Sequence, residues 1–206
     1  MYVSATNSMT DRNEIIAFMK RFSFATIVSV KEEVPLATHL PFIVKEKDEE
    51  LYLISHFAKA NQQWQNIEGQ TVLVIFTEPH AYISTLNYDK ELNVPTWNYL
   101  SVHAYGKVEL ITAYEAVQKI LHETIETYEQ PFLQKWNGFP EDYKERMTNG
   151  IVAFELPIHD LQAKKKLSQN RTESEKAKII DILSSSSASN DMLIAEYMKK
   201  GNDNES

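Results

Sequence analysis

Apolar residues at 15, 16, 18, 19 and 22 mark one face of a short helix ending near Arg21, and Asp11 with Glu14 gives it a capping-box-like start. The run S-F-A-T-I-V-S-V, Ser23–Val30, predicts a buried strand. A break at Lys31–Glu33 leads to a second strand over Leu36–Val44, a charged turn over Lys45–Glu50, and a third strand over Leu51–Ser55. Strands at this spacing predict an antiparallel meander.

Thr71–Thr77 is β-branched and apolar, so it predicts a core strand; Glu78–Pro79 breaks it and another begins over His80–Leu86. From Leu100 to Leu110 the alternation is clean, with Leu100, Val102, Ala104, Gly106, Val108 and Leu110 on one side. Thr112 with Glu115 predicts a capping box ahead of a helix that presents Val117, Ile120, Leu121, Thr124, Ile125 and Tyr128 on one face. Pro140 opens a short helix that Asn149–Gly150 closes. Ile151–Leu156 and Leu161–Leu167 are predicted as separate late strands. Thr172 with Glu175 caps a further helix, the serines at Ser184–Ser187 break it, and a short helix follows around Met192–Met198. Gly201–Ser206 is expected to fray. The fold class is α+β, mainly β: a barrel of six to eight strands with peripheral helices, not alternating β-α units.

Composition narrows the chemistry. The 206 residues, 43% apolar, suit one domain with at most a small appendage. No run approaches the ~18 apolar residues of a membrane span. Met1–Thr10 is polar and lacks the layout of a signal peptide, and there is no cysteine. These features favour the cytoplasm and no membrane. A net charge of −8 weighs against nucleic acid as a partner, because phosphate neutralisation needs a basic face. The five glycines are scattered, the nearest pair being Gly138 and Gly150, which excludes a dinucleotide fingerprint or a P-loop. A phosphate here must be held by side chains or by ordinary helix and turn amides.

The six histidines stand at 39, 56, 80, 103, 122 and 159, and none forms the H-E-x-x-H zinc pattern: His122–Glu123 has Glu126 where the second histidine would stand. No metal site is expected. No G-x-S-x-G elbow is present, so a hydrolase triad has no support and no catalytic residue is assigned.

Four constellations carry candidate chemistry, each beside an ordinary reading. A-T-H-L-P, Ala37–Pro41, puts Thr38 and His39 in a strand followed by proline, so the strand lies at an edge or breaks there, and an irregular edge leaves amides free for a ligand; an ordinary edge strand with His39 at the surface is the alternative. S-H-F-A-K-A-N-Q-Q-W, Ser55–Trp64, follows a strand and gathers His56, Lys59 and Asn61 at a rim that suits a monophosphate; a solvated loop is the alternative. V-P-T-W-N-Y, Val94–Tyr99, offers Trp97 to stack on a flat ring with Asn98 beside it, or an aromatic packed in an interface. K-K-K-L-S-Q-N-R, Lys164–Arg171, adds four cations, or is a solvated charge run.

In this order, A-T-H-L-P, N-Q-Q-W, P-H-A-Y-I-S at Pro79–Ser84, V-P-T-W-N-Y and K-L-S-Q-N-R resemble the PaiB family of FMN-binding negative transcriptional regulators, from about Ile15 to the helix after Arg171. Gln62 departs from the family, which tends to have proline there. The resemblance implies a split β-barrel related to the pyridoxamine 5′-phosphate oxidase group, spanning 1–171 with a helical tail over 172–206, and a homodimer with FMN at the subunit interface. By the same carry-over, Thr38, His39 and Leu40 would line the flavin ring. Lys59, helped by His56 and Asn61, would hold the phosphate. Trp97 and Asn98 would approach the ring, from this chain or its partner, and Gln169 and Arg171 would close the phosphate side. The function so implied is a transcriptional regulator or flavin-dependent sensor. The alternatives are a flavin reductase or oxidase acting on a small molecule, and a split barrel that binds haem.

Overall fold

Strand β1, Phe24–Lys31, turns Ala25, Ile27 and Ser29 inward and leaves Phe24 and Val30 exposed. The predicted buried strand is therefore half-buried, at period two. It pairs antiparallel with β2, Val34–Pro41, from Phe24↔Pro41 to Lys31↔Val34. The connecting residues Glu32 and Glu33 have φ of 51° and 65°, the positive pair that a two-residue hairpin turn requires. The structure, a computed structural model, describes residues 1–203.

The chain divides into two compact units, a larger one of Ile16–Phe76 and His103–Leu161, and a smaller one of Met1–Ile15, Thr77–Val102 and the residues from Gln162 onward. In the larger unit, β3 (Ile43–Lys47) and β4 (Glu50–Ala58) form a second hairpin, turning at Asp48 and Glu49 with φ of 51° and 68°. Leu36–Val44 is thus two strands rather than one. Phe42 leaves the β2 ladder, donating its N–H to Ser23 O at 2.8 Å, and Ile43 pairs with Ile54. The remaining strands are β5 (Thr71–Phe76), β6 (His80–Ile83), β7 (Thr96–Lys107), β8 (Glu109–Ile111) and β9 (Ile151–Lys166). The hydrogen-bonded path of the larger unit runs β2-β1-β5-β7-β9-β4-β3, so β2 and β3 end it instead of pairing as a meander. β9 is continuous where two strands are predicted, with Pro157 inside it opposite Tyr52. The core alternates as predicted along β7, with Ala104 fully buried and Val108 buried beyond its end. Phe57 stacks on Phe154 at 5.1 Å, and Phe42 meets both Phe76 and Phe154 at about 6 Å.

The helices are α1 (Arg12–Arg21), α2 (Tyr114–Glu129), α3 (Phe132–Asn137), α4 (Glu141–Asn149), α5 (Glu173–Ser184) and α6 (Ser189–Asp203). Asp11 Oδ1 caps α1 by accepting from the Asn13 and Glu14 amides at 2.8 and 3.2 Å. The Glu14 carboxylate does not reach back to complete a box; it pairs with Lys165 at 2.7 Å. The box predicted at Thr112 is also absent. β8 carries the chain to Ile111, Ala113 becomes the N-cap, and its side chain makes no bond. Val117 and Ile120 of α2 pack on Ile43, Ile54 and Ala153, which covers β3, β4 and β9. The box at Thr172–Glu175 forms in full. In the smaller unit α5 packs on α6, and α6 packs on β6. α6 continues through Gly201 to Asp203, against the fraying expected there, and 204–206 lie outside the described residues. The class is α+β, mainly β, as the sequence predicts.

Candidate functional site

β2 has one neighbour, β1, so its other edge is unpaired; Pro35 and Pro41 near its ends fit that position because neither can donate to a ladder. Thr38 sits on this strand and joins the segment after β4. Its hydroxyl accepts from Asn61 Nδ2 at 2.9 Å and donates to Gln63 Oε1 at 2.6 Å. Gln63 is buried, and its Nε2 donates to Ser29 Oγ at 2.9 Å and to Leu36 O at 3.2 Å. Its own N–H is capped by Asn61 Oδ1 at 2.9 Å. One glutamine thus ties β1, β2 and the post-β4 turn into a single polar patch. Sequence reasoning missed it, although it lies in N-Q-Q-W. A cavity of about 330 Å³ opens beside the patch, lined by Lys31, Leu36, Ala37, Thr38, Asn61 and Gln62 among others.

The other candidates in this unit sit around that patch or apart from it. His39 is exposed, with Nδ1 2.8 Å from Thr26 Oγ1 and its ring stacked 6.3 Å from Phe24. Leu40 turns into the core, so only its backbone faces the edge. Ser55–Ala58 belong to β4 rather than to a rim loop, and His56 lies opposite Ala153. Burial pushes the His56 imidazole below the usual histidine range, which favours its neutral form. Lys59 follows the strand and is exposed; its N–H donates to Gly150 O and its carbonyl accepts from Trp64 Nε1. Among the described residues, neither the His56 nor the Lys59 side chain joins the Thr38 network.

In the smaller unit Trp97 is half-exposed on β7, edge-on to Tyr82 at 5.7 Å and 5.8 Å from the His80 ring. Asn98 is fully buried, with Oδ1 accepting from Ser168 Oγ at 3.0 Å and Nδ2 3.6 Å from Met198 Sδ. Its side chain pins β7 to the turn after β9. Gln169 closes the turn after β9, accepting from the Leu167 amide at 2.8 Å and donating to Lys165 O at 2.5 Å. The Arg171 guanidinium lies 3.6 Å over the Tyr88 ring and donates to Asn93 Oδ1 at 2.8 Å.

The three consecutive lysines before Leu167 have three different environments. Lys164 is buried, donates to Tyr2 O at 3.2 Å and lies over the Tyr99 ring at 5.3 Å. Lys165 pairs with Glu14. Lys166 donates to Thr96 Oγ1 and, at 2.8 Å, to Trp97 O. Burial, then Lys164, then Arg171 hold its ammonium below the usual lysine range. The segment is a set of placed cations, not a solvated run.

Each unit by itself offers donors of a kind that a flavin monophosphate uses: in the larger, hydroxyl and amide groups on an edge strand; in the smaller, cations with neutral donors. Residues 1–160 match the family described as "Putative FMN-binding domain". Over 204 residues the chain is 39% identical to the protease synthase and sporulation protein PAI 2 of Bacillus subtilis, covering 97% of each protein. Its fold is similar to that of an FAD and heme binding protein from Mycobacterium smegmatis, with a TM-score of 0.62 at 15% identity over 78% of this chain and 73% of the other. It is also similar to the flavocytochrome Anf3 from Azotobacter vinelandii, with a TM-score of 0.60 at 18% identity over 80% and 72%. The fold is the split β-barrel, FMN is the cofactor, and the chain belongs to the FMN-binding domain family of which the PaiB proteins are part.

Proposed function

We propose that this flavin-binding protein is a regulator or sensor of the PaiB type, working as a cytoplasmic homodimer. The observation that carries the binding half is the Thr38–Asn61 contact, which joins two of the motifs of that family in one polar patch on an unpaired strand edge. In this reading the backbone of His39 and Leu40 and the Thr38 hydroxyl meet the ring. Lys59, with His56 and Asn61 near it in sequence, meets the phosphate, and Gln169 and Arg171 close the phosphate side. Trp97 and Asn98 stand on the ring side, Trp97 through its exposed face and Asn98 by holding β7. Bound FMN supplies a redox-active, light-absorbing ring; the chain supplies its placement.

The regulatory half is supported by the name of the Bacillus subtilis relative, which ties that protein to protease synthesis and sporulation. The dimer is supported by the exposed Tyr82–Trp97 pair, since paired exposed aromatics are enriched at interfaces. No described helix is long and apolar enough to cross a membrane. The test is titration of the purified protein with FMN, FAD and riboflavin, read by flavin fluorescence, together with light scattering. FMN favoured over both analogues, in a dimer, is the expected result. Equal affinity for FMN and riboflavin removes the phosphate assignments, and a monomer at micromolar concentration removes the dimer.

A further inference from the structure

We infer that the cavity of the smaller unit built on Lys166 and Arg171 is a pocket for a phosphate-type dianion, with Lys166 as its central cation. The cavity has a volume of about 260 Å³ and is lined by Thr6, Asn7, Thr96, Lys166, Gln169 and Arg171 among others. The chain carries 29 acidic residues against 21 lysines and arginines, yet among the described residues no carboxylate lines this cavity. Lys166 and Arg171 therefore give the cavity wall a local positive charge that a ligand would neutralise, with no carboxylate among the lining residues.

The cations are also held in place. An ammonium has three donors. Lys166 gives two of them to neutral oxygens, Thr96 Oγ1 and Trp97 O, which fix the nitrogen and leave one donor for a ligand. Arg171 is clamped over Tyr88 and gives Nη1 to Asn93, so most of its donors are left for a ligand. The carboxylate that comes near Arg171, that of Glu175, accepts from the Asp89 and Thr172 amides at 3.0 and 3.2 Å and is not part of the cavity lining. Burial first, then the like charges of Lys164 and Arg171, lower the proton affinity of Lys166. Thr6 and Asn7 add neutral donor groups of the kind that a tetrahedral oxyanion uses.

The pocket is defined by its own cations and does not depend on the FMN reading; the two meet if the dianion is the phosphate of FMN. The experiment compares FMN, riboflavin and inorganic phosphate on the unaltered protein, Lys166→Gln and Lys166→Arg. If FMN supplies the anion, Lys166→Gln weakens FMN by about tenfold or more while riboflavin is unmoved, and Lys166→Arg restores most of the loss. If a separate anion is the ligand, FMN is unmoved and inorganic phosphate raises the melting temperature of the unaltered protein and of Lys166→Arg but not of Lys166→Gln. Should Lys166→Gln not fold, the Lys166 Cε resonance of the unaltered protein, identified by its loss in Lys166→Arg, moves saturably as phosphate or FMN is added. Riboflavin and FMN weakened alike by Lys166→Gln overturn the inference, as does a Lys166 resonance that neither phosphate nor FMN moves. A protein that takes phosphate and no flavin retains the pocket and loses the FMN reading instead.

Discussion

Asn61 Nδ2 donates to the Thr38 hydroxyl at 2.9 Å, and that hydroxyl donates onward to the buried Gln63 at 2.6 Å. Valine has the shape of threonine but neither bond. Thr38→Val therefore leaves the Gln63 amide oxygen buried without its partner, which costs about 1–3 kcal/mol. Urea denaturation should show that loss, and flavin titration should show weaker FMN binding. A fully stable variant with unchanged FMN affinity would take the network out of the site.

Both hairpin turns of the larger unit use non-glycine residues at positive φ: Glu32 and Glu33 at 51° and 65°, Asp48 and Glu49 at 51° and 68°. Left-handed backbone costs an L-residue roughly 1–2 kcal/mol, less for asparagine and least for glycine. Replacing Glu32–Glu33 with Asn-Gly should stabilise the protein by about 1 kcal/mol, or a few degrees in Tm for a chain of this size. Calorimetry decides it; a lower Tm contradicts the assigned turn geometry.

Gly106 lies where β7 passes β9. A Cβ there would overlap the Pro157 carbonyl oxygen and stand 2.8 Å from the Leu156 side chain. The obstacle is backbone in a paired strand and cannot swing aside. Gly106→Ala should destabilise by about 1–3 kcal/mol or more. Equal urea midpoints for the two proteins would mean that β7 and β9 are not so close.

The elements legible in the sequence are those whose cause is local. The period-two pattern over 100–108 is written by one strand with one buried face, and the Thr172–Glu175 box needs only two residues three apart. Thr112–Glu115 has the same spacing and fails, because where the helix starts is decided by the pairing of β8 with β9. The split between β2 and β3 was half legible: Pro41 marks where β2 ends, but that Ile43 starts a new strand is decided by Ser23 and Ile54, far away in sequence. At the site, motifs pointed to Thr38 and Asn61, but the role of Gln63 rests on Ser29 and Leu36. Nothing in K-K-K says which lysine faces the cavity; Glu14, Tyr2 and Tyr99 hold the other two.

Glu175 gives a pH signature. The Asp89 amide first, then the Thr172 amide and Arg171, hold its carboxyl below the ordinary glutamate value, against the opposing effect of burial. A folded-state pKa below the unfolded one contributes stability that is present above the unfolded value, about 4.3, and is lost as pH falls through the folded value. Glu175→Gln removes this contribution. Below pH ~4.5 its stability should fall less steeply than that of the unaltered protein, while near pH 7 it should be the less stable of the two. Urea midpoints measured from pH 7 to pH 3 test the sign; parallel curves would mean that Glu175 does not titrate differently on folding.

Lys59 of the larger unit and Arg171 of the smaller are each assigned to the phosphate in the proposed function but differ in what else they do. The Lys59 side chain is exposed and outside the Thr38 network, so Lys59→Ala should leave stability within about 0.5 kcal/mol. Arg171 stacks on Tyr88 and bonds Asn93, so Arg171→Ala should also loosen the segment around those residues. Each change removes one charge-assisted bond to the ligand and should weaken FMN by about tenfold or more. If both act on one dianion, the double variant should lose less than the product of the two; a full product means that they act separately. Riboflavin separates the contributions: its affinity should be untouched by Lys59→Ala and reduced by Arg171→Ala only as far as the loosened segment also holds the ring. Unchanged FMN affinity in Lys59→Ala, with a loss in Arg171→Ala, would place the phosphate on the Arg171 side alone and leave Lys59 a surface cation.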